Sequence, residues 1–261
     1  MEITALQNPV VKAAAALKQK KYRREQGLFL AEGLRTVEEA VSYGVVQEIF
    51  YTAVEDDRTR TVLEAAAARQ VPLYCVSSAV MKKLADTETP QGIIAVCAMQ
   101  SAPLETLLAT GRLLLVLDRI GDPGNLGTML RTADAAGVGG LVLLKGCADI
   151  FAPKTVRASM GSLFHVPVVC DVDEAALVQS AKQAGYSLLV TCLDGADSLY
   201  KADLGGRLAF VMGNEANGVS SSLLAAADKR VYIPMQGRAE SLNVAMAAGI
   251  VLFEALRQRL G

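Results

Sequence analysis

Apolar residues in this chain come as short unbroken runs, separated by longer Ala-rich stretches whose hydrophobic positions recur at helical spacing. Runs bounded by Gly, Pro, Asp and Asn read as strands, and the stretches between them as helices. Asn8-Pro9 looks like a helix cap followed by proline at the first helical position. The helix it opens is predicted to run to about residue 26, where Gly27 can stop it. Strands are then predicted over 28–30, 46–51, 71–76 and 92–98, with helices over 36–43, 58–69 and 78–84. Alternation at this spacing predicts a small α/β unit. Residues 99–111 carry Ser101, Pro103 and Gly111 and read as a linker or boundary helix.

A second unit opens on Leu113-Leu114-Leu115-Val116-Leu117, a continuous apolar run that suits a parallel strand buried on both faces. Further strands are predicted over 141–144, 166–169, 188–192, 208–212 and 231–233, with helices over 126–136, 174–184, 221–227 and 242–260. The expected division is an N-terminal domain over 1–100, a linker over 101–111 and a C-terminal domain over 112–261. Neither repeats nor low-complexity segments interrupt it.

Composition narrows the function classes. With 261 residues, 52% of them hydrophobic, the chain can bury a real core in one or two domains. Net charge is −1, so any nucleic-acid footprint must be local. One candidate is the first helix, where Lys12, Lys18, Lys20, Lys21, Arg23 and Arg24 face a single acid, Glu2, before residue 25. Such a helix is either a solvated face or a site of attraction to a polyanion. Five cysteines lie scattered with no C-x-x-C pair, as free thiols in a reducing compartment would. One histidine and no clustered ligands argue against zinc or another metal. No apolar run approaches the ~20 residues that span a bilayer, and the start lacks a signal-peptide pattern. A soluble, cytoplasmic protein without a membrane partner is the expectation.

In an open α/β sheet, ligands bind beyond the carboxyl ends of the strands, so unusual residues in those loops carry the chemistry. Three such loops stand out. The first, Asp118 to Thr132, has Gly121 and Gly124 for a tight turn and Asn125 as a helix cap. Leu126, Leu130, Ala133 and Gly137 share one face of the helix that follows, so Thr128, Arg131 and Ala135 lie on another. Arg131 therefore points away from the core, with five donors in a fork that suits a phosphate. Its glycines follow G-x-x-G-x-x-G, which is not a dinucleotide fingerprint, and no Walker A sequence occurs. The second loop, Gly213-Asn214-Glu215-Ala216-Asn217-Gly218, follows a strand, and its Glu215 could accept from a hydroxyl or hold Arg131. The third, Ile233-Pro234-Met235-Gln236-Gly237-Arg238-Ala239-Glu240-Ser241-Leu242-Asn243-Val244, puts donors and acceptors at the entry of the last helix, where a packing helix has no need of them.

Taken together and in this order, the loops resemble the SpoU-type RNA ribose 2′-O-methyltransferases of the knotted SPOUT class. The first motif of that family, N-x-G-x-x-x-R-T, matches Asn125, Gly127, Arg131 and Thr132. The second, a strand followed by G-N-E, matches Gly213, Asn214 and Glu215, with Ala216 where many members carry glycine. The third, I-P-M-x-G-x-x-x-S-L-N-V, matches Ile233 through Val244. The resemblance covers about 112–261. Residues 25–98 are similar, in size and pattern, to the small ribosomal-protein-like substrate-binding domain often found upstream.

What this implies is an α/β fold with a trefoil-knotted, mostly parallel C-terminal sheet, a homodimer formed through it, and S-adenosylmethionine as methyl donor. By the same resemblance Gly213, Ile233 and Leu242 hold the donor with Thr191 and Met235 beside it. Asn125, Arg131, Glu215, Ser241 and Asn243 line the reacting end. RNA is the implied partner, met by the basic first helix and by Lys154, Arg157 and Arg238 near the catalytic loops. Ribosomal RNA is favoured over transfer RNA by the extra N-terminal domain. A transfer-RNA ribose methyltransferase and a non-catalytic RNA-binding protein are the alternatives, though an inactive relic would be expected to lose Arg131 or Asn243. His165 sits beside an apolar strand, outside the three loops, and reads as structural.

Overall fold

The computed structural model describes residues 2–54, 56–192 and 195–261. The chain forms two compact units. One holds the residues up to Gln100 together with Asp149–Phe164; the other holds Ser101–Ala148 together with His165–Gly261.

The first unit begins with α1 (Pro9–Ala16) and α2 (Lys20–Gln26). Asn8 caps α1 by accepting from Val10 N–H, and Gly27 ends α2 in the left-handed region at φ 66°. One continuous helix was the sequence expectation, and the break at residues 17–19 has a physical cause. The Arg23 side chain is buried, and its Nη1 donates to the carbonyls of Leu17 and Lys18, both at 2.8 Å. A continuous helix would keep those carbonyls for its own ladder. Nη2 and Nε of Arg23 donate to Asp149 Oδ2 at 2.6 and 3.2 Å, so every direction of the fork is used.

The rest of the unit follows in chain order: β1 (Leu28–Glu32), α3 (Leu34–Ser42), β2 (Val46–Tyr51), α4 (Asp57–Ala68), β3 (Leu73–Cys75), α5 (Ser78–Leu84) and β4 (Ile93–Ala98). The sheet order is β1-β4-β2-β3, with β4 antiparallel to both neighbours and β2 parallel to β3. Phe29, Ile49, Phe50, Ile93 and Ile94 form its buried centre.

The second unit continues with α6 (Leu104–Ala109), β5 (Leu114–Leu117), α7 (Pro123–Ala135) and β6 (Gly140–Leu144). The chain then enters the segment that belongs to the first unit, with α8 (Pro153–Ser159), for which the hydrophobic pattern gave no signal. The helix Arg157 reaches across that unit to Asp86 Oδ2 at 2.9 Å. Back in the second unit come β7 (Val168–Val172), α9 (Glu174–Gln183), β8 (Ser187–Thr191), β9 (Asp197–Ser198), β10 (Leu208–Met212), α10 (Ser221–Ala226), β11 (Lys229–Tyr232) and α11 (Val244–Leu260). The strands pair parallel throughout, in the order β7-β6-β5-β10-β8-β11-β9. β10 thus lies between two strands that precede it in the chain. The strands are as continuously apolar as a sheet covered on both faces requires. One face packs α6, α9 and α10 through Leu107, Leu177, Leu223 and their neighbours. α7 and α11 pack against each other. No helix among the described residues is long and apolar enough to cross a membrane.

Two stability predictions arise here. Asp149→Ala strands the buried Arg23 guanidinium without its counter-charge, and thermal unfolding should show a loss of about 3–5 kcal/mol. At the end of α11, hydrogen bonds from Arg257 and then Gln258 lower the Glu254 carboxyl to a pKa of about 2. An unfolded glutamate titrates near ~4.3. The folded value is the lower, so this stabilisation is fully present above that pH and is lost as pH falls toward about 2. Glu254→Gln should flatten that part of the stability profile, read from unfolding midpoints at stepped pH.

Candidate functional site

Three parallel strands of the second unit end at one cleft of about 600 Å³. Thr191 and Cys192 end β8, Met212 and Gly213 end β10, and Val231 to Ile233 end β11. The chain from Met235 to Ala247 supplies the other wall, with Glu240, Ser241, Leu242, Asn243 and Val244. All five residues expected to hold a donor (Thr191, Gly213, Ile233, Met235 and Leu242) line this cleft. Thr191 donates from Oγ1 to the Val211 carbonyl at 3.2 Å, which fixes its side chain along β10.

The Gly213–Gly218 loop is folded tightly enough to explain its first residue. Asn214 N–H donates to the Gly218 carbonyl at 3.0 Å, and Gly218 N–H returns the bond at 2.9 Å. A methyl carbon on Gly213 would lie 2.6 Å from the Gly218 carbonyl oxygen and closer still to that residue's carbonyl carbon and to Val219 N. Asn214 Oδ1 accepts from the N–H groups of Ala216 and Asn217, so the loop holds its turn with alanine after Glu215.

The same loop is tied to the end of β5. Asp118 is fully buried and accepts from Ser220 N–H at 2.8 Å and from Arg119 Nε at 2.7 Å. Arg119 stands in the left-handed region at φ 54°, and its carbonyl accepts from Asn214 Nδ2 at 2.8 Å. The hydrogen bonds and charge of Asp118 raise the Arg119 guanidinium above its usual value. Composition gave no signal for this brace, since an Asp-Arg pair after a strand is unremarkable until both loops are seen together.

At the mouth of the cleft, three of the five residues expected at the reacting end meet. Asn243 Nδ2 donates to Asn125 Oδ1 at 3.0 Å, and Asn125 Nδ2 donates to Glu215 Oε1 at 2.9 Å. Ser241 lines the wall beside them. Asn125 was expected to cap α7, but the cap is Asp122, which accepts from Asn125 N–H at 2.7 Å with Pro123 at the first helical position. That places Asn125 inside the first turn and frees its side chain for the cleft. Asn243 does cap α11.

Arg131 is not in this cluster. Its side chain is exposed on α7, as its helical phase predicts, and it does not line the cleft. It lies six residues, or about 9 Å along the helix, beyond Asn125. It makes no hydrogen bond or ion pair with any described residue, and Glu215 is held by Asn125 instead. α7 and α11 run side by side in the same direction, since Asn125 meets Asn243 at their starts and Thr132 faces Gly249 farther on.

The residues expected to meet RNA divide. Lys12, Lys20, Lys21, Arg24, Lys154 and Arg238 are exposed. Arg23 is a correction: it is 3% exposed and spends its guanidinium inside the first unit, so it is not available to a polyanion. Lys18 Nζ donates to the carbonyls of Lys83 and Ala85, and Arg157 is paired with Asp86. Lys154 and Arg157, expected beside the catalytic loops from their place in the sequence, belong to the first unit. His165 lies outside the cleft, with Nδ1 2.8 Å from Asp134 Oδ2. None of the five cysteines forms a disulfide; Cys97 is buried and the others half-buried.

Sequence reasoning missed Tyr232 and Glu240, which also line the cleft. Both adjoin motif residues, so their place in the loop was the available signal. Glu240 matters electrostatically, because the described residues of the lining include two carboxylates, Glu215 and Glu240, and no Lys, Arg or His.

Residues 112–253 match the SpoU rRNA methylase family, and residues 8–95 match the MRM3-like substrate binding domain. The chain is 40% identical over 253 residues to the 23S rRNA (guanosine(2553)-2′-O)-methyltransferase RlmP of Bacillus subtilis, covering 97% of this chain and 98% of that one. Among solved structures, an AdoMet-bound rRNA methyltransferase from Sinorhizobium meliloti superposes with a TM-score of 0.89 at 35% identity, over 100% of this chain and 99% of that one. The SpoU methyltransferase AviRb from Streptomyces viridochromogenes, in complex with AdoMet, gives 0.86 at 31% identity, over 98% and 99%.

Proposed function

Because this chain belongs to the SpoU rRNA methylase family, we propose that it methylates a ribose 2′-hydroxyl of 23S-type ribosomal RNA, with S-adenosylmethionine as the donor. The observation that carries the reading is the cleft at three strand ends, with carboxylates at Glu215 and Glu240 and no basic residue among the described residues of its lining. Its apolar floor (Met212, Val231, Ile233, Leu242 and Val244) suits an adenine, and its acids suit a ligand with sulfonium and ammonium charges. The fit is also steric, because Gly213 keeps side-chain atoms out of the tightest part of the loop.

When bound, the donor supplies an electrophilic methyl on sulfur. The ribose oxygen forms a bond to that carbon as the sulfur–carbon bond breaks, and the hydroxyl proton is released. A hydroxyl is a weak nucleophile until its proton is shared, and Glu215 is the acceptor placed to share it. Arg131, which has no hydrogen bond or ion pair to a described residue, binds the adjacent phosphate and stabilises charge developing on the oxygen. Ser241 flanks this end of the cleft. Lys12, Lys20, Lys21, Arg24, Lys154 and Arg238 meet the RNA backbone, which fixes register without reading sequence.

The working form on this reading is a cytoplasmic homodimer with a knotted C-terminal unit. Met246 and Phe253, 63% and 48% exposed, lie seven residues apart on one face of α11, and exposed apolar side chains placed so suit burial against a second copy. Sedimentation should give twice the chain mass, and Met246→Glu with Phe253→Glu should halve it. The knot is supported by β10 lying between the earlier strands β5 and β8. To test the function, 2′-O-methyl sites are mapped in ribosomal RNA from cells with and without the gene. Loss of one ribose methyl in 23S-type RNA is expected; an unchanged map would contradict the proposal.

A further inference from the structure

Asn243, Asn125 and Glu215 come from three separate stretches of chain, yet their hydrogen bonds form one line whose direction is set from one end. Asn243 Oδ1 accepts from the N–H groups of Ala245 at 2.9 Å and Met246 at 3.3 Å, which caps α11. An amide whose oxygen is committed to a helix cap turns its Nδ2 outward. That Nδ2 donates to Asn125 Oδ1. Asn125 can then offer only its own Nδ2 to the next member, and that member is Glu215. A line ending in an N–H donor is completed by an acceptor, and a carboxylate is the strongest acceptor among the side chains. Oε2 of Glu215 has no hydrogen-bond partner among the described residues.

From this geometry we propose that Asn243 and Asn125 are positioning residues. The cap of α11 fixes which way round the Asn125 amide faces, and through it holds Glu215 as an anionic acceptor with one oxygen left for the substrate. The role of Glu215 rests on the ribose-methylation reading; the polarity of the line is a property of the free protein. The arrangement couples formation of the last helix to the reacting end, because an uncapped α11 would release the Asn125 amide to turn over.

The test exploits a substitution that keeps the cap and reverses the line. Asn243→Asp caps a helix as well as asparagine does. Its carboxylate has no donor for Asn125, so the Asn125 amide can give its Nδ2 to only one of two flanking carboxylates and sets its oxygen against the other, acceptor against acceptor. Adding Glu215→Gln restores a complete line running the other way. Among the described residues, positions 243 and 215 are linked by hydrogen bonds through Asn125 and not to each other. The expected result is that Glu215→Gln lowers S-adenosylmethionine affinity and the thermal midpoint less in the Asn243→Asp background than in the native chain, with a coupling of about tenfold in affinity. The coupling should vanish when Asn125→Leu is also present. The side-chain amide signal of Asn125 in ¹⁵N-labelled free protein should shift on Asn243→Asp and move back when Glu215→Gln is added. Independent, multiplicative effects with an unmoved Asn125 signal would overturn the proposal, and so would native affinity and turnover in Asn243→Ser, which keeps a cap but lacks the amide. If the signal and the midpoints couple while native protein transfers no methyl to ribosomal RNA, the relay stands and the functional reading falls.

Discussion

Replacing Arg131 with alanine is expected to slow single-turnover methyl transfer by about a thousandfold, while the affinity for S-adenosylmethionine changes by no more than about threefold. The split follows from where the residue sits. Arg131 does not line the cleft, so its loss leaves the donor's contacts in place. It is exposed on α7 with no hydrogen bond or ion pair to any described residue, so nothing in the fold requires its charge. An exposed arginine on the helix that carries Asn125, with no partner among the described residues, contributes through the substrate. Removing an electrostatic stabiliser of a developing charge costs rate rather than ground-state binding. Arg131→Lys should recover little, because a single ammonium does not reproduce the planar fork that grips a phosphate. Near-native turnover in Arg131→Lys would show that only the charge matters. A large loss of donor affinity in Arg131→Ala would place the residue in the donor site instead.

Gly213→Ala is expected to abolish donor binding, lowering affinity by more than about a thousandfold. The added methyl carbon would lie 2.6 Å from the Gly218 carbonyl oxygen, and the other close atoms are backbone that cannot turn aside. The loop from Gly213 to Gly218 must then open, and its two reciprocal backbone bonds between Asn214 and Gly218 are lost with it. Glu215 rides on that loop and would leave Asn125. Overpacking of this kind costs about 1–3 kcal/mol of stability, so the variant should still fold. Calorimetric titration with S-adenosylmethionine checks the outcome, beside a thermal melt. A variant that binds the donor normally would show that the loop relaxes more freely than its bonds imply.

Much of this was legible in the residues. The run Leu113 to Leu117 suited a strand covered on both faces, and Leu114–Leu117 form β5. Helical phase put Leu126, Leu130 and Ala133 in the core and Arg131 outside, where they are. Strand ends loaded with Gly, Asn and Glu marked the cleft. The rest depended on contacts far apart in the chain. The basic helix breaks because a buried Arg23 needs the carbonyls of Leu17 and Lys18, and its counter-charge, Asp149, lies far along the sequence. A charge pattern cannot distinguish a lysine or arginine that faces solvent from one consumed inside. The excursion from Asp149 to Phe164 into the first unit left no mark in periodicity, nor did the place of β10 between earlier strands. The cap of α7 fell at Asp122 because Pro123 fits the first helical position, which moved Asn125 from a capping role to the cleft.

The most direct test of the central claim is to incubate the purified chain with methyl-labelled S-adenosylmethionine and 23S-type ribosomal RNA, then digest the RNA to nucleosides for mass analysis. The label is expected on the 2′-oxygen of one ribose. Label on a nucleobase, or none on the RNA at all, would contradict the account.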